Sequence, residues 1–281
     1  MARKTSTVNA ATSKRRALCV GINDYPYGGS DLNGCVNDAK AWAKCLSDNF
    51  GFAASDIKML LDSQATKKNM INALKELLAG AQAGDILVFT NSSHGSYYTE
   101  VGGDEDEYDE ILCPYDISDN HIVDDELRDF FNNLPEGVNM TVILDNCFSG
   151  TATRAAVNEI IPGMRTPDDR RIRFLNPALR GLKILNDPLS AKPKKTEKFP
   201  QSKMREVLLS GCTDNEYSYD ALINGKYHGA MSYYALQAIE EAKNTITYDQ
   251  LHQRLRNLIR RYPQHPQLEG QTANKKRLIF S

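Results

Sequence analysis

Two side chains in this 281-residue sequence are placed to do covalent chemistry together, His94 and Cys147. His94 lies in Ser92-Ser93-His94-Gly95, and Cys147 in Asp145-Asn146-Cys147-Phe148-Ser149-Gly150. Each lies a few residues past the end of an apolar run. An imidazole beside a thiol takes its proton, leaves a thiolate as nucleophile and later protonates a departing amine. The small residues Gly95, Ser149 and Gly150 leave room for a substrate backbone and free N–H groups for an oxyanion hole. A lone cysteine or histidine at such a place is ordinarily structural, so the reading rests on the pair.

The pair must be brought together by the elements around it. Short apolar runs alternate with helical patterns, the signature of βαβ units and a parallel sheet, an α/β fold. Strands are expected at Arg16–Ile22, Ile57–Leu61, Asp85–Asn91, Asn139–Asp145, Glu206–Cys212 and Arg277–Phe280. Helices are expected at Cys35–Phe50, closed by Gly51, at Lys67–Ala79, closed by Gly80, and at Asp124–Asn133, Met231–Lys243 and Tyr248–Tyr262. His94 and Cys147 then both sit past the carboxyl ends of parallel strands, where open α/β sheets place their sites. Sequential strands joined by right-handed crossovers tend to be neighbours, so the fifty-three positions between the two residues do not keep them apart.

Composition narrows the function class. An apolar fraction of 41% suffices for a packed core. No run approaches the roughly 18 to 20 apolar residues of a membrane helix, and the start lacks a secretory h-region, so a cytoplasmic protein is expected. Residues 1–15 read as a disordered tail. The six cysteines show no CxxC spacing, against a zinc site or disulfide framework. A net charge of −2 argues against nucleic acid as partner. Charge is nevertheless segregated. Residues 100–129 hold thirteen acids and one base, whereas 151–205 hold thirteen Lys/Arg against five acids. That second stretch carries six prolines and no sustained period, and it reads as a linker between a large part, 16–150, and a small part, 206–281.

Two carboxylates near the pair suggest a specificity. Asp38 lies in the first turn of its helix and Asp145 two residues before Cys147. Carboxylates lining one cavity would hold a guanidinium by charge-assisted bonds. The alternative for Asp38 is a helix-start acid favoured by the dipole, whereas a charge closing a buried strand, as at Asp145, requires a partner.

The motifs Ser92-x-His94-Gly95 and Asp145-x-Cys147-x-Ser149-Gly150 resemble the paired motifs of metacaspases, and their separation is near the roughly 50 residues between the caspase His and Cys. Gly21-Ile22-Asn23-Asp24-Tyr25, Leu32-x-Gly34-Cys35-x-Asn37-Asp38-Ala39 and Tyr108-Asp109-Glu110-x-Leu112-x-Pro114-x-Asp116 are similar too. So are Ser210-Gly211-Cys212, Gly229-Ala230-Met231-Ser232-Tyr233 and Gln264-x-Pro266-Gln267-Leu268. The resemblance implies one caspase-like domain, a six-stranded, mostly parallel sheet with its last strand antiparallel and helices on both faces. It implies a monomeric cysteine endopeptidase that cuts protein or peptide substrates after Arg or Lys. By the same resemblance the basic-residue pocket maps onto Cys35, Asp38, Ser92 and Asp145, and the oxyanion donors onto the N–H groups of Gly95 and Cys147. The sequence departs from the family at Phe148, often His, and at Ser93, often Gly, and the long prodomain of some members is not expected.

Metacaspases often bind calcium, and Asp109, Asp124 and Asp125 fall near three of the ligand positions, but Arg154 stands where a fourth acid is expected. No cofactor is therefore expected to be required, calcium being the one candidate. The acidic loop itself lacks EF-hand spacing. A basic linker beside an acidic pocket points to self-cleavage, with Arg165, Arg170, Arg171, Arg173 and Arg180 as candidate sites. Three other readings compete: a caspase-fold peptidase of different specificity, such as an Asn-cutting legumain type, a non-catalytic caspase-like interaction module, and a flavodoxin-like domain. For the last, Gly28-Gly29-Ser30 is a poor phosphate loop.

Overall fold

The computed structural model describes residues 13–98, 107–118, 120–147, 170–176, 192–193, 201–213 and 216–281. The central strands form because their residues are apolar on both faces. β1 (Arg15–Gly21), β3 (Ile86–Ser92) and β7 (Asn139–Asp145) are buried along most of their length, as expected of strands covered on both sides. They join β2 (Ile57–Leu61), β10 (Glu206–Ser210) and β13 (Gln267–Glu269) in one six-stranded sheet of order β13-β10-β7-β3-β1-β2. Every pairing is parallel except β10 with β13.

Alternation sends side chains to two separate cores. Ala17, Cys19, Val88, Ile143 and Leu209 face a layer formed by α1 (Cys35–Phe50), α4 (Ala230–Glu241) and α5 (Tyr248–Leu258), with Trp42, Leu46, Ala235 and Leu255 buried against them. Leu18, Val20, Leu87, Phe89 and Val142 face α2 (Lys67–Leu78) and α3 (Asp124–Asn132), where Met70, Leu74 and Phe131 complete the packing. Helix ends follow local chemistry. Gly51 closes α1 in the left-handed conformation at φ +70°, and Thr247 and Gln250 form a reciprocal capping box at the start of α5.

Smaller strands flank the sheet. β4 (Gly95–Tyr98), β5 (Glu107–Leu112) and β6 (Ile122–Val123) pair antiparallel, and the two-residue strand β9 (Lys192–Pro193) joins β5. A hairpin of β11 (Tyr219–Ile223) and β12 (Lys226–Gly229) receives β8 (Arg171–Ile172) along its edge.

One expected strand is overturned. Arg277–Phe280, which follows the short helix α6 (Thr272–Lys275), forms no strand. Among the described residues its one link of this kind is an isolated bridge between Thr247 and Leu278. The antiparallel sixth strand is Gln267–Glu269, paired with Leu208–Ser210. The apolar residues of the tail instead plug the helical layer between α1 and α5: the Phe280 ring meets Trp42, Phe50 and Tyr248 edge-on, and its φ of +52° turns the chain out of extended geometry. The expected strand Glu206–Cys212 likewise ends at Ser210. The expectation for residues 1–15 falls outside the described residues up to residue 12, as does most of 151–205.

Candidate active site

Register explains how His94 and Cys147 come together. Ser92 and Asp145 are partners at the ends of β3 and β7, and His94 and Cys147 each lie two residues further on. The two chains then run so close that a Cβ on Gly95 would lie 1.9 Å from the Cys147 carbonyl oxygen, so only glycine fits there. The His94 Nε2 lies 2.7 Å from the Ser30 carbonyl. A carbonyl can only accept, so Nε2 carries the hydrogen and Nδ1 is the basic nitrogen of the neutral ring. Tyr25 braces the imidazole, ring centroids 5.1 Å apart, while its hydroxyl accepts from the His94 N–H and donates to the Cys113 carbonyl. Cys147 is fully buried, and its sulfur accepts from the Ser218 N–H at 2.6 Å.

The chain itself fills the cleft beside this pair. Arg171 and Ile172 of β8 add to β11 opposite Asp220 and Tyr219, and the Arg173 N–H continues the ladder to the Ser218 carbonyl at 3.0 Å. The Arg173 carbonyl oxygen then accepts from two backbone donors, Gly95 N–H at 3.0 Å and Cys147 N–H at 3.2 Å. Two N–H groups converging on one carbonyl beside a thiol make the geometry of an oxyanion hole.

The Arg173 guanidinium enters a pocket closed to solvent. Its Nη2 lies 2.7 Å from Asp38 and 3.1 Å from Asp220, and its Nη1 lies 3.3 Å from the Asp145 carboxylate and 2.9 Å from the Asp145 carbonyl. Each carboxylate is further held. Asp38 accepts from the Gly229 N–H, Asp145 from Ser218 Oγ and the Ser232 N–H, and Asp220 from the N–H groups of Asn33 and Gly34. Burial pushes the Asp38 carboxyl above its ordinary range, with Arg173 pulling the other way. Burial also opposes the charge on Arg173, but Cys35 and the three acids around it hold that group well above its ordinary value.

Of the pocket residues expected from sequence, Asp38 and Asp145 touch the guanidinium directly. Cys35 is buried beside it, its thiol raised by desolvation and lowered by Arg173. Ser92 is buried at the register position of Asp145, and no hydrogen bond joins it to Arg173 among the described residues. Asp220, Ser218 and Gly229 were missed. All come from the β11–β12 hairpin or the residue before it, and the Asn224-Gly225 dipeptide, with both φ positive, is the turn signal that marks it. Of the candidate cleavage positions, Arg165 and Arg180 lie outside the described residues. Arg170 stacks over Tyr219 and Tyr262, Arg171 reaches the Asp31 carbonyl, and Arg173 is in the pocket.

The calcium candidates are arranged differently. Asp124 and Asp125 open α3 and both pair with Arg128, the Asp124 contact at 2.9 Å. Asp109 lies on β5, and burial, opposed by Arg128, raises the Asp124 carboxyl. Among the described residues no group of three or more His, Cys, Asp or Glu is placed to hold a metal. With two of the three acids engaged by a guanidinium, this set does not fit a calcium ion as it stands, and Arg154 lies outside the described residues. No helix among the described residues is long and apolar enough to cross a membrane.

Comparisons with known proteins agree with one another. A family model described as metacaspase, peptidase C14 domain, matches residues 15–155. A metacaspase-1A of Aspergillus terreus is 33% identical over 293 residues, an alignment that spans 92% of this chain and 70% of that protein. A metacaspase-1 of Meyerozyma guilliermondii is 32% identical, spanning 95% and 72%. Among solved structures, a protein of Geobacter sulfurreducens superposes with a TM-score of 0.71 at 26% identity, covering 95% of this chain and 98% of that one. Caspase-1 of Spodoptera frugiperda superposes at 0.56 and 11% identity over 92% and 87%, a likeness that shows the caspase-like fold.

Proposed function

The chain belongs to the metacaspase family of cysteine-type endopeptidases, and on that premise we propose that it hydrolyses peptide bonds after Arg or Lys with His94 and Cys147 as its dyad. The observation that carries this reading is Arg173, seated as a substrate residue would be: carbonyl between the Gly95 and Cys147 N–H groups, guanidinium among three acids. His94 Nδ1 takes the thiol proton. The Cys147 thiolate attacks the carbonyl carbon, and the two N–H groups stabilise the oxyanion. The C–N bond then breaks, the amine leaves with the proton from His94, and the acyl group remains as a thioester. Water, deprotonated by the same imidazole, releases the acid and restores the thiol.

By the same reading the chain cuts itself at Arg173–Phe174, and until then the uncut segment competes with other substrates for the cleft. Its substrates are proteins or peptides, and it works as a cytoplasmic monomer without nucleic acid or membrane. The test is a fluorogenic panel with Arg, Lys, Asp or Asn before the bond, run with the parent chain, Cys147→Ala and His94→Ala. Cleavage after Arg and Lys alone, abolished in both variants, is expected. Faster cleavage after Asn or Asp would favour the legumain or caspase type, and no cleavage of any member would favour an interaction module.

A further inference from the structure

The segment that fills the cleft continues past Arg173, and what it meets there concerns the other side of the bond. The Phe174 ring is buried between two tyrosines, stacked on Tyr97 with centroids 5.9 Å apart and planes 26° apart, and tilted against Tyr217 at 6.1 Å. Tyr97, Phe174 and Tyr217 form one apolar cluster with Cys147 itself. The next residue is held by its backbone: Leu175 donates its N–H to the Gly95 carbonyl at 3.0 Å and accepts from Ser96 Oγ at 2.7 Å. Its side chain is 2% exposed and belongs to the core on the α2 side of the sheet. A single β-bridge between Gly95 and Phe174 fixes the register, so both residues sit where the first two residues of a leaving fragment would lie.

We propose that the enzyme carries a primed-side subsite, built by Tyr97, Tyr217, Gly95 and Ser96, that selects an aromatic residue directly after the cleaved bond and an aliphatic one after it. This deepens the reading of the chain as an Arg/Lys-specific peptidase and rests on it. The physical reason is a flat apolar slot, which gains offset stacking from an aromatic ring beyond its burial. A backbone clamp then requires an N–H at the second position. The chain's own sequence fits that requirement at one place. Of the thirteen basic residues in 151–205, Arg173 alone is followed by an aromatic residue and then by one with a free N–H. Lys198 is followed by Phe199 but then by Pro200, which has no N–H to offer the Gly95 carbonyl. The subsite therefore also accounts for which bond of the linker is cut.

The experiment uses the full chain, preincubated, and internally quenched peptides that share Ile-Arg before the bond and carry Phe-Leu, Gly-Leu, Glu-Leu or Phe-Pro after it. Mass spectrometry locates each cut. The Phe-Leu peptide is expected to give about tenfold higher kcat/KM than Gly-Leu, and Phe-Pro the lowest value. Tyr97→Ala and Tyr217→Ala should each bring the Phe-to-Gly ratio toward one, whereas Tyr97→Phe and Tyr217→Phe keep it. A ratio does not depend on the folded fraction, so a destabilised variant remains informative. Equal rates for all four peptides in the parent chain would overturn the subsite and leave the Arg specificity standing. No cleavage after Arg in any peptide would overturn both.

Discussion

Arg173 and Asp38 lie 135 positions apart in sequence and meet at 2.7 Å with neither side chain exposed. One positive charge is thereby set among three buried negative ones, Asp38, Asp145 and Asp220. Removing one partner of such a cluster leaves uncompensated charge in a low-dielectric interior, which costs about 3 to 5 kcal/mol. Arg173→Ala should lose stability of that order, measured by urea unfolding of the uncleaved Cys147→Ala background. The loss should depend on pH. Without the guanidinium, the Asp38 carboxyl rises further above its unfolded value of about 4. A raised acid contributes its stability below the unfolded value and loses it as pH climbs through the folded one. The deficit of Arg173→Ala should thus widen from about pH 4 toward neutrality, and a constant deficit would show that the acids are not desolvated.

Asp220 is the third acid around the Arg173 guanidinium, and its removal should weaken recognition of an Arg residue in a free peptide. Asp220→Asn and Asp38→Asn should each lower kcat/KM on an Arg substrate by about 2 to 5 kcal/mol, with Lys substrates affected less because only Arg spans several carboxylates at once. Steady-state kinetics on matched Arg and Lys peptides decide this, and an unaltered value for Asp220→Asn would remove it from the pocket.

Gly229 tests the pocket by shape rather than charge. Its φ of −66° and ψ of 131° suit any residue, so Gly229→Ala puts no strain on the backbone. The added Cβ, however, would lie 2.1 Å from the Asp145 carboxylate and 2.5 Å from Arg173 Nη1. Cleavage after Arg should fall more than about a hundredfold. An unchanged melting profile would accompany it if the Asp145 side chain can shift, and normal cleavage would mean that the pocket lies elsewhere.

Thiol labelling separates the cysteines. Burial pushes Cys19 up to about 12 and Cys45 up to about 11. A hydrogen bond with Cys147, with burial, also raises Cys212. These groups remain protonated at pH 8 and should alkylate slowly. Cys147 is covered by the Arg173 segment, so its labelling by iodoacetamide should accelerate in Arg173→Ala, followed by peptide mass spectrometry. Equal labelling of Cys147 in both chains would show that the segment does not shield it.

Calcium at millimolar concentration should change activity less than about twofold, because Arg128 already neutralises Asp124 and Asp125. Arg128→Ala should create weak calcium binding, detectable by calorimetry. Strict calcium dependence of the parent chain, with no turnover in a chelator, would show that other residues complete a site.

The strands that lead to His94 and Cys147 were legible because a strand buried on both faces carries a continuous apolar run, Ile86–Phe89 in β3 and Val142–Leu144 in β7. Gln267–Glu269 was not legible, since a three-residue edge strand with one apolar side chain, Leu268, has no period to detect. Ile279 and Phe280 misled for the converse reason: they are apolar to plug a helical layer, not to extend a sheet. Asp38 and Asp145 could be found because each lies close in sequence to a recognisable motif or element. Asp220 reaches the pocket only through the fold of its hairpin. Arg173 was one of five equal candidates, because proximity along a chain says nothing about which residue a turn delivers into a cavity.

The linker joins β7 to β10, strands that lie side by side in the centre of the sheet. Severing the backbone at residue 173 therefore cuts a tether without parting what it tethered. What such a cut would change is the order of the folding reaction: one chain would become two that must meet, and the melting temperature would acquire a new dependence on protein concentration.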